Sequence, residues 1–252
     1  MVAGFAAMLC GCGPQGRPVD EPAPDRETPA QAGYLAPPAV VGAQPLDGQI
    51  LLTGQAAPHA AVRLATPQGE ARAVAADAQG RWRLTLPPAT EPRLFGLSMT
   101  AAGRVVQSQG YLLVTPQGRP VQLRAGAGAL TLGAAGPPRI TAFDFDADGG
   151  AVVSGVAAAP GAALSVRVDG RQMAEGRADD AGRFSVAFGQ PLTQGRHALE
   201  VASEGVEHSA VIDLSPAAPL TGGPFRIGAA PRGVRVDWMT PGGGVQSTVL
   251  LG

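Results

Sequence analysis

Residues 76–86 read ADAQGRWRLTL and residues 178–188 read ADDAGRFSVAF. Asp77, Gly80, Arg81 and Trp82 reappear as Asp179, Gly182, Arg183 and Phe184. The match widens outward. Thr53-Gly54 corresponds to Ser154-Gly155, Gly69 to Gly170, Leu97 to Leu199, and Gly103 to Gly205. A correspondence sustained over that span is an internal repeat. The body of the chain therefore holds two copies of one module of about 90 residues, a size that can bury its own core.

Each copy alternates with period two. In RWRLTL, Trp82, Leu84 and Leu86 share one face, with Arg81, Arg83 and Thr85 on the other. Phe184, Val186 and Phe188 share a face in the second copy, as do Leu164, Val166 and Val168. That spacing sends every second side chain to one side of a strand. Turn signals separate the runs: Gln68-Gly69, Asp77-x-x-Gly80, Asp169-Gly170 and Asp179-x-x-Gly182. No segment sustains a 3.6-residue period. The expectation is all-β, with seven or so short strands per copy closing into a β-sandwich.

Composition narrows the chemistry. The 252 residues are 45% hydrophobic but only 4% aromatic, with 36 Gly and 24 Pro. All 19 basic residues are Arg; there is no Lys and no Asn. This excludes a Schiff-base lysine, a Gly-Lys-Ser/Thr phosphate loop and N-linked glycosylation. The net charge is −1 and no Arg stripe exists, so a nucleic-acid partner is not expected. Both cysteines, Cys10 and Cys12, lie in the first dozen residues. The body cannot form a disulfide or a thiolate site.

The chain divides into six segments. Residues 1–12 carry the apolar run VAGFAAML, too short to span a bilayer. Residues 13–44 form a Pro-rich tether that lacks the apolar residues needed to offset its ordering entropy. Module 1 covers 45–123 and module 2 covers 139–216, joined by the Gly/Ala/Pro linker 124–138. Residues 217–252 lie outside the repeat and read as a C-terminal β-meander.

Two resemblances follow from these residues. Leu9-Cys10-Gly11-Cys12 resembles the lipobox of bacterial lipoproteins, which implies that Cys12 is lipidated and becomes the mature N-terminus. The apolar run departs from that pattern in having no Arg or Lys before it. The repeat, with Ala-Asp-x-x-Gly-Arg-aromatic at its centre, resembles the bacterial immunoglobulin-like repeats of cell-surface proteins. It is also similar to carboxypeptidase-regulatory, transthyretin-like modules. These likenesses imply tandem Ig-like sandwiches on a membrane anchor in the bacterial cell envelope, facing the periplasm or borne on the outer membrane. They supply no active site and no cofactor.

Three groups of residues invite a functional reading. Asp144, Asp146 and Asp148, followed by Gly149, space carboxylates as a calcium loop does. The twelfth position is Gly155 rather than an acid, so an acidic solvated turn is the competing reading. Trp238 and Phe225 in the C-terminal segment would form an edge-pairing or sugar-stacking surface if exposed; the alternative puts Trp238 in a gap of the second sandwich. His59, His197 and His208 share no metal or triad spacing, and no Gly-x-Ser-x-Gly turn is present. The expectation is a non-enzymatic envelope lipoprotein acting as a structural or interaction scaffold with a protein or glycan partner. A carbohydrate- or peptidoglycan-binding accessory module is the alternative, and an enzyme would need a pocket joining His and carboxylates.

Overall fold

The computed structural model describes residues 33–115, 119–133 and 136–251. Cys12 and most of the Pro-rich segment lie outside the described residues. Every regular element among them is a strand.

The first repeat runs β1 (Ala39–Leu46), β2 (Gln49–Gln55), β3 (Ala61–Ala65), β4 (Ala71–Ala75), β5 (Arg81–Leu86), β6 (Arg93–Ala101) and β7 (Arg104–Val114). Two short strands follow, β8 (Pro120–Arg124) and β9 (Leu130–Thr131). The second repeat runs β10 (Arg139–Asp146), β11 (Ala151–Val156), β12 (Ala163–Val168), β13 (Arg171–Arg177), β14 (Arg183–Ala187), β15 (Gly195–Ser203) and β16 (Val206–Leu214). The C-terminal strands are β17 (Phe225–Ala230), β18 (Gly233–Met239) and β19 (Val245–Leu250).

These form four sheets. Sheet A has the order β1-β2-β5 and sheet B the order β4-β3-β6-β7-β8-β9. Sheet C runs β14-β11-β10-β19-β18-β17 and sheet D runs β13-β12-β15-β16. The repeat is therefore conformational as well as sequential. β10-β11-β14 copies β1-β2-β5, and β13-β12-β15-β16 copies β4-β3-β6-β7. Even the bulge recurs: register shifts between Val40 and Gly42 in β1, and between Ile140 and Ala142 in β10.

The repeated glycine and aromatic residues explain one another. Gly54 lies opposite Trp82 across β2 and β5, and Gly155 opposite Phe184 across β11 and β14. A Cβ on Gly54 would sit 2.1 Å from the Trp82 ring, and one on Gly155 would sit 2.6 Å from the Phe184 ring. The ring lies over the bare backbone, so each side of the pair requires the other.

The turns follow two patterns. In Asp77-x-x-Gly80, Asp77 Oδ1 accepts the N–H groups of Gln79 and Arg81 at 2.9 and 2.8 Å. Asp179 Oδ1 does the same for Ala181 and Arg183 at 2.9 and 2.8 Å. Gly80 and Gly182 have φ of 77° and 72°, which a side chain would strain. The other pattern is a two-residue hairpin with both φ positive: Asp47-Gly48, Ala102-Gly103, Asp169-Gly170 and Glu204-Gly205.

Three boundaries differ from the sequence reading. β1 begins at Ala39, inside the stretch read as tether, because Val40 is buried in the first core and β1 pairs along β2. The linker 124–138 contributes the end of β8, all of β9 and a buried Ala129. The C-terminal segment joins sheet C itself: β19 pairs with β10, from Ala142 opposite Leu250 to Asp146 opposite Gln246.

Those additions change the architecture. One core lies between sheets A and B, around Leu52, Val62, Leu64 and Trp82. A second lies between sheets C and D, around Phe143, Val166 and Leu199. A third joins sheet B to sheet C, through Leu94, Leu113 and Leu123 on one side and Ala142, Val236 and Trp238 on the other. The layers thus stack in the order A, B, C, D. Sheet C is covered on both faces, which is why all six residues of β11, AVVSGV, are buried. The two repeats are fused face to face rather than strung on a linker.

Candidate functional site

The acidic stretch splits between two tasks. Asp146 forms a third copy of the Asp-x-x-Gly turn. Its Oδ1 accepts the N–H groups of Asp148 and Gly150 at 3.0 and 2.9 Å, and Gly149 has φ of 84°. Asp144 lies on β10, facing sheet B in the third core, and is 1% exposed. Its Oδ2 accepts Ala129 N–H at 2.7 Å; its Oδ1 accepts the Gln246 amide at 3.0 Å and the Thr248 hydroxyl. Burial pushes the Asp144 carboxyl above the usual range, although these three donors oppose that shift. The calcium reading of Asp144, Asp146 and Asp148 therefore loses its geometry. One carboxylate is sealed between sheets and a second caps its own turn. Among the described residues no three His, Cys, Asp or Glu side chains cluster for a metal.

Asp144 is the centre of a network that ties the linker to the sheets. Gln246 Oε1 accepts Gly126 N–H at 3.1 Å, and Trp238 Nε1 donates to Thr248 Oγ1 at 3.0 Å. Arg124 donates to Gly128 C=O at 2.9 Å, Ala127 C=O at 3.0 Å and Ser185 Oγ at 3.0 Å. The arrangement meets the hydrogen-bonding needs of polar groups in a buried interface.

Trp238 is fully buried, with its ring 5.7 Å from that of Tyr111 in an edge-to-face arrangement. It cannot serve as an exposed stacking platform. It does fill a gap, but the gap lies between the two sandwiches. Phe225 is half-buried at the rim of the same core.

The opposite face of β18 carries a second polar centre, Asp237, 4% exposed. Arg235 Nε donates to its Oδ1 at 2.7 Å, Ser247 donates to the same oxygen at 2.7 Å, and Arg226 donates to Oδ2. Burial would raise the Asp237 carboxyl, but these donors win and hold it below the usual range. Arg235 also reaches Ser215 and lies 5.1 Å above the Phe145 ring. Arg226 reaches the carbonyls of Ala218 and Pro219. The cluster pins the connector leaving sheet D to the strands of sheet C. Asp237, Gln246 and Thr248 carry no motif in the sequence. The available signal was polar residues at alternate positions of otherwise apolar strands.

The histidines lie apart. His59, at φ 59°, takes the conformation that Gly161 has in the second repeat, and each donates its N–H to the turn aspartate's carbonyl. His208 has a buried Nε2 without a partner. His197 is engaged at both nitrogens, with Asp169 at 2.7 Å and Thr193 C=O at 2.9 Å. Burial would lower its pKa, but these partners raise it above the ordinary imidazole value. Asp169 is held below the usual carboxylate range, first by His197 and then by Ala198 N–H. The pair clips the β12–β13 turn to β15 and, through Thr193, to the loop before it. With Ala198 N–H also donating to Asp169 at 2.8 Å, the pair has the geometry of a clamp.

Two of the open grooves lie near these residues. One, of about 610 Å³, lies beside the His197 clamp and includes Met173 and Leu192. The other, of about 710 Å³, lies between Phe225, Leu94, the β3–β4 turn and the loop before β6.

No family model matches the chain, and no curated protein matches it. Among solved structures it is similar to the BSP domain of a biofilm-associated protein, at 12% identity and a TM-score of 0.25, covering 73% of this chain and 30% of that one. It is similar to the central fibronectin-III array of RIM-binding protein, at 14% identity and a TM-score of 0.30, covering 86% and 89%. It is also similar to invasin, a bacterial integrin-binding protein, at 13% identity and a TM-score of 0.22, covering 86% and 54%. The chain thus spans under a third of the first and about half of the last. The class is defined by the strand pairing itself: an all-β protein of two tandem β-sandwich repeats.

Proposed function

We propose that this chain is a non-enzymatic scaffold of the bacterial cell envelope, anchored through a lipid on Cys12 and held off the membrane by its Pro-rich segment. The observation that carries the scaffold part is the third core. It turns two repeats into one block and uses Trp238, Asp144 and Gln246 for cohesion. The body's acids with shifted pKa values are likewise tied up in turns, clamps and sheet contacts. The anchor rests on the placement of both cysteines at positions 10 and 12, with Leu9 and Gly11 in register for acylation of Cys12. Two or more acyl chains give stable membrane attachment where one does not.

The test is metabolic labelling with radioactive palmitate in a bacterium that processes lipoproteins. The full chain is expected to take up label and sediment with membranes. Cys12→Ser is expected to lose the label and leave the membrane fraction. Label retained by Cys12→Ser, or none in the parent chain, refutes the anchor.

A further inference from the structure

We propose that the open edge of β17 takes up one extended strand of a partner polypeptide, by β-addition. This deepens the scaffold reading and rests on it for the presence of a partner, though not on the lipid. Among the described residues β17 pairs only with β18. Met239 N–H donates to Pro224 C=O across that pair. Backbone groups alternate along an antiparallel strand, so those of Phe225, Ile227 and Ala229 point away from β18 to the open side.

The surroundings say what fits there. Trp238 of β18 stacks on Tyr111 of β7, and Phe225 of β17 lies beside Leu94 of β6. Sheet B therefore continues past β17 by two strands, β3 and β4, which nothing in sheet C covers. Their outward positions Ala61, Arg63, Ala71, Ala73 and Ala75 are exposed. The groove of about 710 Å³ lies at the β3–β4 turn end of this two-strand shelf and continues the third core through Leu94 and Phe225.

A second copy of the chain does not fit. Antiparallel pairing of β17 with itself would place both sheets B on the same side of the joined sheet. Each overhang of two strands, about 10 Å wide, would then occupy the other's space. A lone strand carries no overhang. It would set one row of side chains on the shelf, small ones over the alanines and an acidic one over Arg63. Its backbone would pair with Phe225, Ile227 and Ala229, as in other strand-addition complexes.

The probe is a phage-displayed random library of about eight residues, a usual strand length, panned on the full chain. Enriched peptides are expected to alternate small and acidic residues on one face. They should bind Ala229→Pro and Ala73→Trp at least about tenfold more weakly, the equivalent of one or two lost hydrogen bonds. Ala229→Pro removes an outward N–H and spares the β17–β18 ladder; Ala73→Trp fills the shelf. Both should keep the parent melting temperature. Amide exchange at Phe225, Ile227 and Ala229 should slow when peptide is bound. The proposal is overturned by an absence of enriched peptides, by binding indifferent to both substitutions, or by unchanged exchange. A free chain that dimerises and is split by Ala229→Pro also overturns it. None of these outcomes depends on Cys12, so failure of the anchor leaves this test intact.

Discussion

Trp238→Ala probes whether the two repeats behave as one body. The side chain is fully buried, with its ring against Tyr111 and its N–H on Thr248. Removing a buried Trp costs about 3–5 kcal/mol in lost transfer energy and residual cavity. Thr248 also loses a donor in the network around Asp144, so the upper half of that range is expected. For a body of this size each kcal/mol moves the melting temperature by about 2–4 °C. A fall of about 8–20 °C is therefore expected by calorimetry. The manner of unfolding is the sharper readout. With the third core intact, the body should unfold in one transition. With Trp238 gone, sheets A and B should separate energetically from sheets C and D. Trp82, the only other Trp, sits in the first core and reports on that half alone. Its fluorescence transition should then diverge from the total heat signal. A parent chain already melting in two steps, or a variant losing less than about 1 kcal/mol, would falsify the fused-block description.

Other outcomes follow from single contacts. Gly155→Ala places a Cβ 2.2 Å from Arg139 C=O and 2.6 Å from the Phe184 ring. Overpacking of this kind costs about 1–3 kcal/mol, and denaturant titration should show it; Gly189→Ala, with open space around it, should be nearly silent. The His197–Asp169 clamp carries a pH signature. The raised His197 pKa makes its contribution complete below the unfolded value of about 6.5 and lost as pH rises through the folded one. The lowered Asp169 pKa makes its share present above about pH 4 and lost as pH falls through the folded value. Stability should thus be greatest between the two, with a loss of about 1 kcal/mol or less toward pH 8, since the carboxylate is half in water. His197→Gln should flatten that alkaline limb; an identical profile in the variant would rule out the clamp.

The acidic loop shows how far pattern reading reaches. Asp144, Asp146 and Asp148 have cation-like spacing, yet Asp146-x-x-Gly149 is the same turn as Asp77-x-x-Gly80 and Asp179-x-x-Gly182. That kinship was present in the letters. The burial of Asp144 was not, because it depends on Ala129, Gln246 and Thr248 arriving from distant segments.

The letters alone determined the elements of this protein: the alternation of RWRLTL and RFSVAF, the paired Gly and aromatic residues, and the turns with positive φ. Each is a local matter of side-chain direction and backbone freedom, repeated in both modules. The tertiary structure decided what the modules do to one another. An apolar run such as AVVSGV is a strand whether one face or both are buried. Only when β19 pairs with β10, and Trp238 fills the space above Tyr111, is sheet C covered on its second face. Burial of apolar area is non-directional and long-range in sequence, so no local period encodes which surface will cover which.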